Sequence, residues 1–307
     1  MNRRVALSLA AVIGLAAALL LLAGCEEEDV AGLFGSGNVT ASETDTMELV
    51  VELPVSLSVE SSNGAVSIRG EVGVQTASVV VTRRSRGETL EEAQDRVARI
   101  DARVEQSGSR LDLVYRGSEQ DDDVRKTSGV DFDVVVPTET PVNVRTSNGA
   151  IDVTSIDGTI TLDTSNGEIE VRSGTGSLNA DTSNGRVEVV DFVGDIRVDT
   201  SNGEVWLDRV AGVVDAETSN GSVRYFGTPS DEVGNRLRTS NGSITVRVPV
   251  DAAIRFVAHA SSGKIQTELP LVGDTEGKDW SAELNPPAAI TFDLRTSNGS
   301  IRIEGLP

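Results

Sequence analysis

The chain has 307 residues, and its 48 Asp and Glu outnumber its 27 Lys and Arg to give a formal net charge of −21. A chain this acidic repels phosphate, which excludes nucleic acid as the expected partner. Aromatic residues make up only 3% of the chain, and a single cysteine excludes an intrachain disulfide.

Residues 1–24 have the pattern of a secretory signal. Arg3 and Arg4 precede an apolar run over residues 5–22, and small residues lead into Cys25. A charged start, an apolar middle and small residues before the cut site are typical of a cleaved signal peptide. The Leu-Ala-Gly-Cys ending resembles the lipobox of bacterial lipoproteins, which implies lipid attachment at Cys25. An uncleaved anchor is the alternative, and it also leaves the rest of the chain outside the cytoplasm.

The segment after the signal is acidic and rich in glycine. We interpret residues 25–37 as a lipidated tether and residues 38–307 as one folded domain. The N-terminal lipid would hold the domain at a membrane. Glu26 after the lipid cysteine favours the outer membrane or cell surface over the inner membrane.

The first part of the domain alternates apolar and polar residues from Asn38 to Arg69, which predicts strands. Residues 88–106 break this alternation with apolar residues spaced three and four apart. That spacing predicts one α-helix over 88–106, which we expect to cap the open end or edge of the fold. A helix that binds a partner is the alternative. The apolar stripe consists of Leu90, Ala93, Val97, Ile100 and Val104.

A repeat dominates the middle of the chain. A glycine falls every nine residues from Gly149 to Gly221, and every second one closes the tetrapeptide Thr-Ser-Asn-Gly. Apolar residues alternate between the glycines, as in strands. A short fixed period indicates units that must stack on one another to bury their apolar faces. The sequence therefore predicts an all-β, single-domain, two-sided β-solenoid with 18-residue coils.

The Asn-Gly pairs suit the tight turns between strands, because this pair tolerates positive φ. Stacked coils would place the motif asparagines one above the next, about 4.8 Å apart. Their amides can then form a ladder, as in other stacked-strand assemblies. We expect a structural role for this turn ladder, which comprises Asn63, Asn148, Asn166, Asn184, Asn202, Asn220, Asn241 and Asn298.

The repeat becomes irregular toward the C-terminus. The step from Asn220 to Asn241 is 21 residues, and the next motif has Ser262 in place of asparagine. Asn298 lies 36 residues after Ser262, which predicts that its coil is the second one beyond it.

Several segments together resemble the bacterial putative-adhesin domains, also called toast-rack-like β-solenoids. They are the lipobox, the Glu-rich helix after VVVTRRSRG, the segment VDFDVVVPTETPVNVRTSNGAIDV and the recurring TSNG motif. The resemblance covers most of residues 38–307. It implies an extracytoplasmic β-solenoid lipoprotein and supplies no catalytic residues.

Two outward columns are candidates for surface chemistry. The first stacks four carboxylates, which repel one another unless they are compensated by arginines or by a divalent cation. The calcium-roll turn Gly-Gly-x-Gly-x-Asp is absent, so we predict no metal site. The weak metal candidates are Asp163, Asp181, Asp199 and Glu217.

The second column contains Trp206 and Arg224, which strand parity places toward solvent. Exposed aromatic residues often anchor recognition of a protein or a sugar. An isolated exposed aromatic residue is also ordinary.

The sequence gives little support for catalysis. The only histidine, His259, has no nearby cysteine, and serines are common in these turns. We predict a lipid-anchored, adhesin-like binding or structural module, with no cofactor and no enzymatic activity, that recognises an unidentified protein or glycan. An accessory protein of envelope-stress signalling and a carbohydrate-active β-helix enzyme are the alternatives.

Overall fold

The computed structural model describes residues 39–117, 121–230 and 234–306. The signal, Cys25 and the tether lie outside these residues. In the described part no helix is long and apolar enough to cross a membrane.

The described chain forms strands and two short helices. In chain order they are β1 (Val39–Val50), β2 (Ser56–Asn63), β3 (Val66–Glu71), β4 (Thr76–Gly87), α1 (Leu90–Ala98), β5 (Arg103–Ser107), β6 (Arg110–Tyr115), α2 (Asp122–Thr127), β7 (Ser128–Pro137), β8 (Val142–Asn148), β9 (Ile151–Thr154), β10 (Asp157–Asn166), β11 (Ile169–Asn184), β12 (Val187–Thr200), β13 (Val205–Gly212), β14 (Val214–Thr218), β15 (Val223–Pro229), β16 (Asn235–Thr239), β17 (Ile244–Pro249), β18 (Ile254–Ala260), β19 (Ile265–Thr267), β20 (Val272–Asp274), β21 (Asp279–Leu284), β22 (Ile290–Thr296) and β23 (Ile301–Leu306).

The strands form a two-sided β-solenoid, which confirms the predicted fold class. Strands that run into the Thr-Ser-Asn-Gly turn make one side, here called the motif face, and strands that leave the turn make the other, the return face. Neighbouring coils pair in parallel with a shift of 18 residues, so that Asp163 lies beside Asp181 and Ile169 beside Val187. Alternating side chains of both faces fill one continuous aliphatic core between them.

Stack order departs from chain order at both ends. At the N-terminal end, β6 and β7 pair outside β2 and β3, and β8 and β9 pair on their inner side. At the C-terminal end, the β22–β23 coil lies between the β16–β17 coil and the β18–β19 coil. The prediction that the Asn298 coil is the second one beyond Ser262 was therefore wrong. Antiparallel strands cover both ends of the stack. At the N-terminal end β4 pairs with β7, β1 pairs with β4, and β5 pairs with β6. At the C-terminal end β21 pairs with β18, and β20 pairs with β21.

The predicted helix is present but shorter. It spans Leu90–Ala98, where Thr89 caps its first turn by accepting a hydrogen bond from the Glu92 backbone N–H. Arg103–Ser107 is a strand instead, because antiparallel pairing with β6 satisfies its backbone and covers the edge of the motif face. Ala93 and Val97 pack on Ala41 of β1, so the helix lies against the outermost strands of the N-terminal end.

Candidate functional site

The turn ladder runs through every coil that carries an intact motif. Each Nδ2 donates to the Oδ1 of the preceding asparagine at 2.8–3.0 Å, from Asn63 through Asn148, Asn166, Asn184, Asn202, Asn220 and Asn241 to Asn298. The ladder thus joins coils that are far apart in the chain at both ends. Its amides bond to one another and stabilise the corner.

The motif glycines allow the corners to approach closely. A β-carbon on Gly203 would lie 1.8 Å from the carbonyl oxygen of Gly185 on the neighbouring coil, a distance that no side chain allows. The motif threonines point inward, and the Thr200 hydroxyl donates to the Gly185 carbonyl at 3.2 Å. The packing of the corners is therefore sufficient to explain why the tetrapeptide recurs.

The four carboxylates named from the sequence lie in register on the motif face. Asp163, Asp181, Asp199 and Glu217 are successive cross-strand neighbours. Partial desolvation of this exposed residue, followed by the charges of Asp199 and Asp163, raises the pKa of Asp181 above its usual value. Nε of Arg145 lies 3.5 Å from Oδ2 of Asp163 at one end of the column.

The column does not converge on a point. Among the described residues, no group of three or more His, Cys, Asp or Glu side chains could hold a metal ion. Nearby arginines of this face are engaged with other carboxylates, as in the ion pairs of Arg236 with Asp215 and of Arg238 with Asp293. The column is thus a surface of mutually repelling charges.

Trp206 lies on the return face within a cluster of rings and guanidinium groups. Phe226 of the next coil meets it edge to face, with ring centroids 5.5 Å apart. The guanidinium carbons of Arg186 and Arg224 lie 5.4 and 5.1 Å from the Trp206 ring centroid. Trp206 is half-buried, so it belongs to a built cluster and is not an isolated exposed ring.

The cluster borders an open groove of about 540 Å³ that continues across three further strands of the return face. Two neighbouring outward columns line it. The first comprises Trp206, Arg224, Thr245, Arg302 and Gln266, and the second comprises Phe226, Arg247 and Glu304. We call this feature the aromatic groove.

Sequence reasoning found Trp206 and Arg224 but missed the rest of the groove. Phe226 and Arg247 could have been found by following the outward position of Asp208, two residues after Trp206, onto the next two coils. Arg302 and Glu304 could not, because the spacing of motifs does not show that their coil lies next to the β16–β17 coil.

The only histidine has two polar neighbours. His259 Nδ1 lies 2.6 Å from Oδ1 of Asp279, and its Nε2 lies 3.0 Å from Oγ of Ser261. This connectivity is that of a Ser-His-Asp hydrolase. A cavity of about 560 Å³ adjoins it, lined in part by Trp280 and Arg295.

Exposure weakens the catalytic interpretation of this cluster. The side chains of His259 and Asp279 are 45% and 83% exposed. Water therefore competes for the aspartate oxygens, whereas the aspartate of a working triad is buried and held against its histidine. The antiparallel pairing of β18 with β21 brings the two residues together, and no sequence spacing indicated it.

No protein-family model and no curated protein matches the chain. A putative adhesin from Bacteroides fragilis is 12% identical, with 86% of this chain and 97% of that chain covered and a TM-score of 0.46. A putative cell adhesion protein from Clostridium sporogenes is 11% identical, with 87% and 100% covered and a TM-score of 0.30. A putative lipid binding protein from Parabacteroides distasonis is 11% identical, with 86% and 97% covered and a TM-score of 0.30.

The chain resembles proteins named as putative adhesins. All three proteins are at most 12% identical to the chain and have TM-scores below 0.5, so they carry no inference about its function.

Proposed function

We propose that the chain is a lipid-anchored, extracytoplasmic binding module that uses the aromatic groove to recognise a component of the cell envelope or its surroundings. The observation that carries the proposal is the grouping of Trp206 and Phe226 with arginines on a rigid sheet face. Half-buried aromatic rings with neighbouring polar groups are typical of recognition surfaces.

The solenoid suits this role because its backbone hydrogen bonds are made between coils. The outward side chains can differ from coil to coil without disturbing the core. The signal pattern and Cys25 support display of this surface outside the cytoplasm on a lipid. The proposal includes no catalytic step, since the His259 cluster is solvent-exposed.

Replacing Trp206 with alanine tests the recognition surface. We expect the variant to lose at least tenfold in affinity for isolated envelope polysaccharide, since a central aromatic contact contributes about 2 kcal/mol or more. Arg197→Ala on the motif face is the control, because Arg197 lies away from the groove in an exposed ion pair with Asp215. Equal binding by the two variants would contradict the proposal.

Anchoring is tested separately by metabolic labelling with an alkyne fatty acid. The full chain should incorporate the label, and Cys25→Ser should not. Crosslinking in intact cells addresses the alternative role in envelope-stress signalling. A single inner-membrane regulator crosslinked to the native chain and equally to Trp206→Ala would favour that alternative.

A further inference from the structure

The aromatic groove has more positive than negative charge on a protein that is strongly acidic overall. Arg247 Nε lies 2.7 Å from Oε2 of Glu304, and Arg302 Nη1 lies 3.5 Å from Oε1 of the same residue. The carboxylate of Glu304 therefore forms ion pairs with two guanidinium groups. Hydrogen bonds from both arginines, that of Arg247 first, hold the pKa of Glu304 below its usual value, so the carboxylate is charged at neutral pH.

Both guanidinium groups retain donors for a further anion. A guanidinium has five N–H donors, and Glu304 contacts only one nitrogen of each arginine. Neither arginine has another ion-pair partner among the residues that the structure describes. A second carboxylate between Arg247 and Arg302 would complete a pairing of two anions with two cations.

A ring contact positions one of these cations. The guanidinium carbon of Arg247 lies 4.7 Å from the Phe226 ring centroid, which orients it by a cation–π contact. Phe226 in turn packs edge to face on Trp206. An apolar platform and an anion site thus lie side by side along the groove.

The position of the groove on the sheet favours one class of acidic macromolecule as its ligand over the others. The rings and arginines of the groove lie on strands that pair on both sides, as β15 does with β13 and β17. Gln266 at the end of the groove is on β19, which pairs with β23 alone. An extended acidic peptide binds most readily at a free strand edge, where it gains main-chain hydrogen bonds. A polynucleotide relies on several phosphate contacts, whereas the groove presents a single pair of arginines that share one carboxylate. The hydroxyls of Ser243, Thr245 and Ser300 and the Gln266 amide along the groove suit the hydroxyl groups of a sugar chain.

We propose that the aromatic groove binds an acidic glycan, with a sugar ring against Trp206 and Phe226 and its carboxylate between Arg247 and Arg302. This inference deepens the proposed function and rests on the same groove. It names the ligand class as a glycan that carries carboxylates among its sugars.

Matched acidic and neutral polymers test the ligand class. The probes are polygalacturonate and its methyl ester, alginate and carboxyl-reduced alginate, and hyaluronan and carboxyl-reduced hyaluronan. Affinity is measured on the full chain immobilised in nanodiscs of zwitterionic lipid. We expect at least one acidic polymer to bind tenfold or more tightly than its neutral partner, with an affinity that falls as salt rises.

Variants locate the contact. Arg302→Gln should lower the affinity for the acidic polymer by a larger factor than the affinity for its neutral partner, and so reduce the acidic preference. Trp206→Ala should weaken binding of both polymers. Arg255→Gln is the matched control, since Arg255 pairs with one glutamate, Glu283, away from the groove. Circular dichroism melting confirms that the variants stay folded.

The outcomes separate this inference from the proposed function. Equal binding of acidic and neutral polymers that Trp206→Ala abolishes would overturn the acidic preference and keep the binding module. No binding to any acidic polymer, or stronger binding to poly-glutamate or single-stranded DNA than to every glycan, would overturn the glycan assignment. If Trp206→Ala also bound isolated envelope polysaccharide like the native chain, the proposed function would be wrong as well.

Discussion

The motif face and the return face are built on the same coils and carry different chemistry. On the motif face, Asp163, Asp181 and Asp199 recur with the repeat and repel one another, with Arg145 beside Asp163 at one end of the column. On the return face, Trp206 and Phe226 depart from the repeat and lie with several arginines along the aromatic groove. Because outward positions do not contribute to the core, they can diverge from the repeat without loss of the fold. The proposed recognition surface therefore lies where the repeat is interrupted.

The largest expected effect comes from the turn that both faces share. Gly203→Ala places a β-carbon 1.8 Å from the Gly185 carbonyl oxygen, so two coils must separate. We expect a loss of about 3 kcal/mol or more in the free energy of unfolding, measured in urea. Ser201→Ala, an exposed position of the same turn, should change stability by less than about 0.5 kcal/mol. Similar stabilities for the two variants would mean that the coils are packed less closely.

The ladder comes next in size. Asn202 donates to Asn184 and accepts from Asn220, both at 2.9 Å, whereas Asn298 at the end of the ladder bonds to Asn241 alone. At about 0.5–1.5 kcal/mol for each bond, Asn202→Ala should cost about 1–2 kcal/mol. Asn298→Ala should cost about half as much in the same urea titration. A larger loss at Asn298 would contradict the ladder's role.

A smaller effect tests the repulsion on the motif face. The pKa of Asp181 is raised in the folded chain, so ionisation of this carboxyl destabilises the fold as pH rises. Asp181→Asn should therefore stabilise the protein at pH 7 by some tenths of a kcal/mol, since the site is exposed. The gain should vanish below the ordinary aspartate pKa of about 3.9, where both states are protonated.

Asp191→Asn provides the opposite control in that titration. A hydrogen bond from Arg209 lowers the pKa of Asp191, so its charge favours the folded state above the ordinary pKa. This variant should gain no stability at pH 7. Stabilisation by both substitutions would indicate a general effect of net charge and not repulsion within the column. Neither variant should alter binding at the aromatic groove.

The last prediction is a negative result: a fluorophosphonate reagent should not label Ser261. The exposed Asp279 cannot hold His259 as a general base against competing water. Mass spectrometry after treatment of the full chain provides the measurement. Labelling at Ser261 that persists in Ser262→Ala and disappears in His259→Gln would contradict the prediction that this cluster is not catalytic.

The local sequence pattern predicted the capping helix only in part. The spacing of Ala93 and Val97 correctly predicted a buried helical stripe. The same spacing continued through Val104, yet that residue lies in β5. A strand edge of β6 was available there, and pairing with it outweighed the local preference. A local period cannot show that such an edge is nearby.

The sequence by itself determined the coil of this protein: its 18-residue length, its turns and the inward and outward sides of its strands. These properties depend on residues close together in the chain, where alternation and Asn-Gly pairs act directly. Only the tertiary structure decided the order of coils at both ends, which brings Arg247 to Glu304. It also decided the antiparallel pairing of β18 with β21 that joins His259 to Asp279. Any coil of this shape can stack on any other, so spacing alone does not select its neighbour.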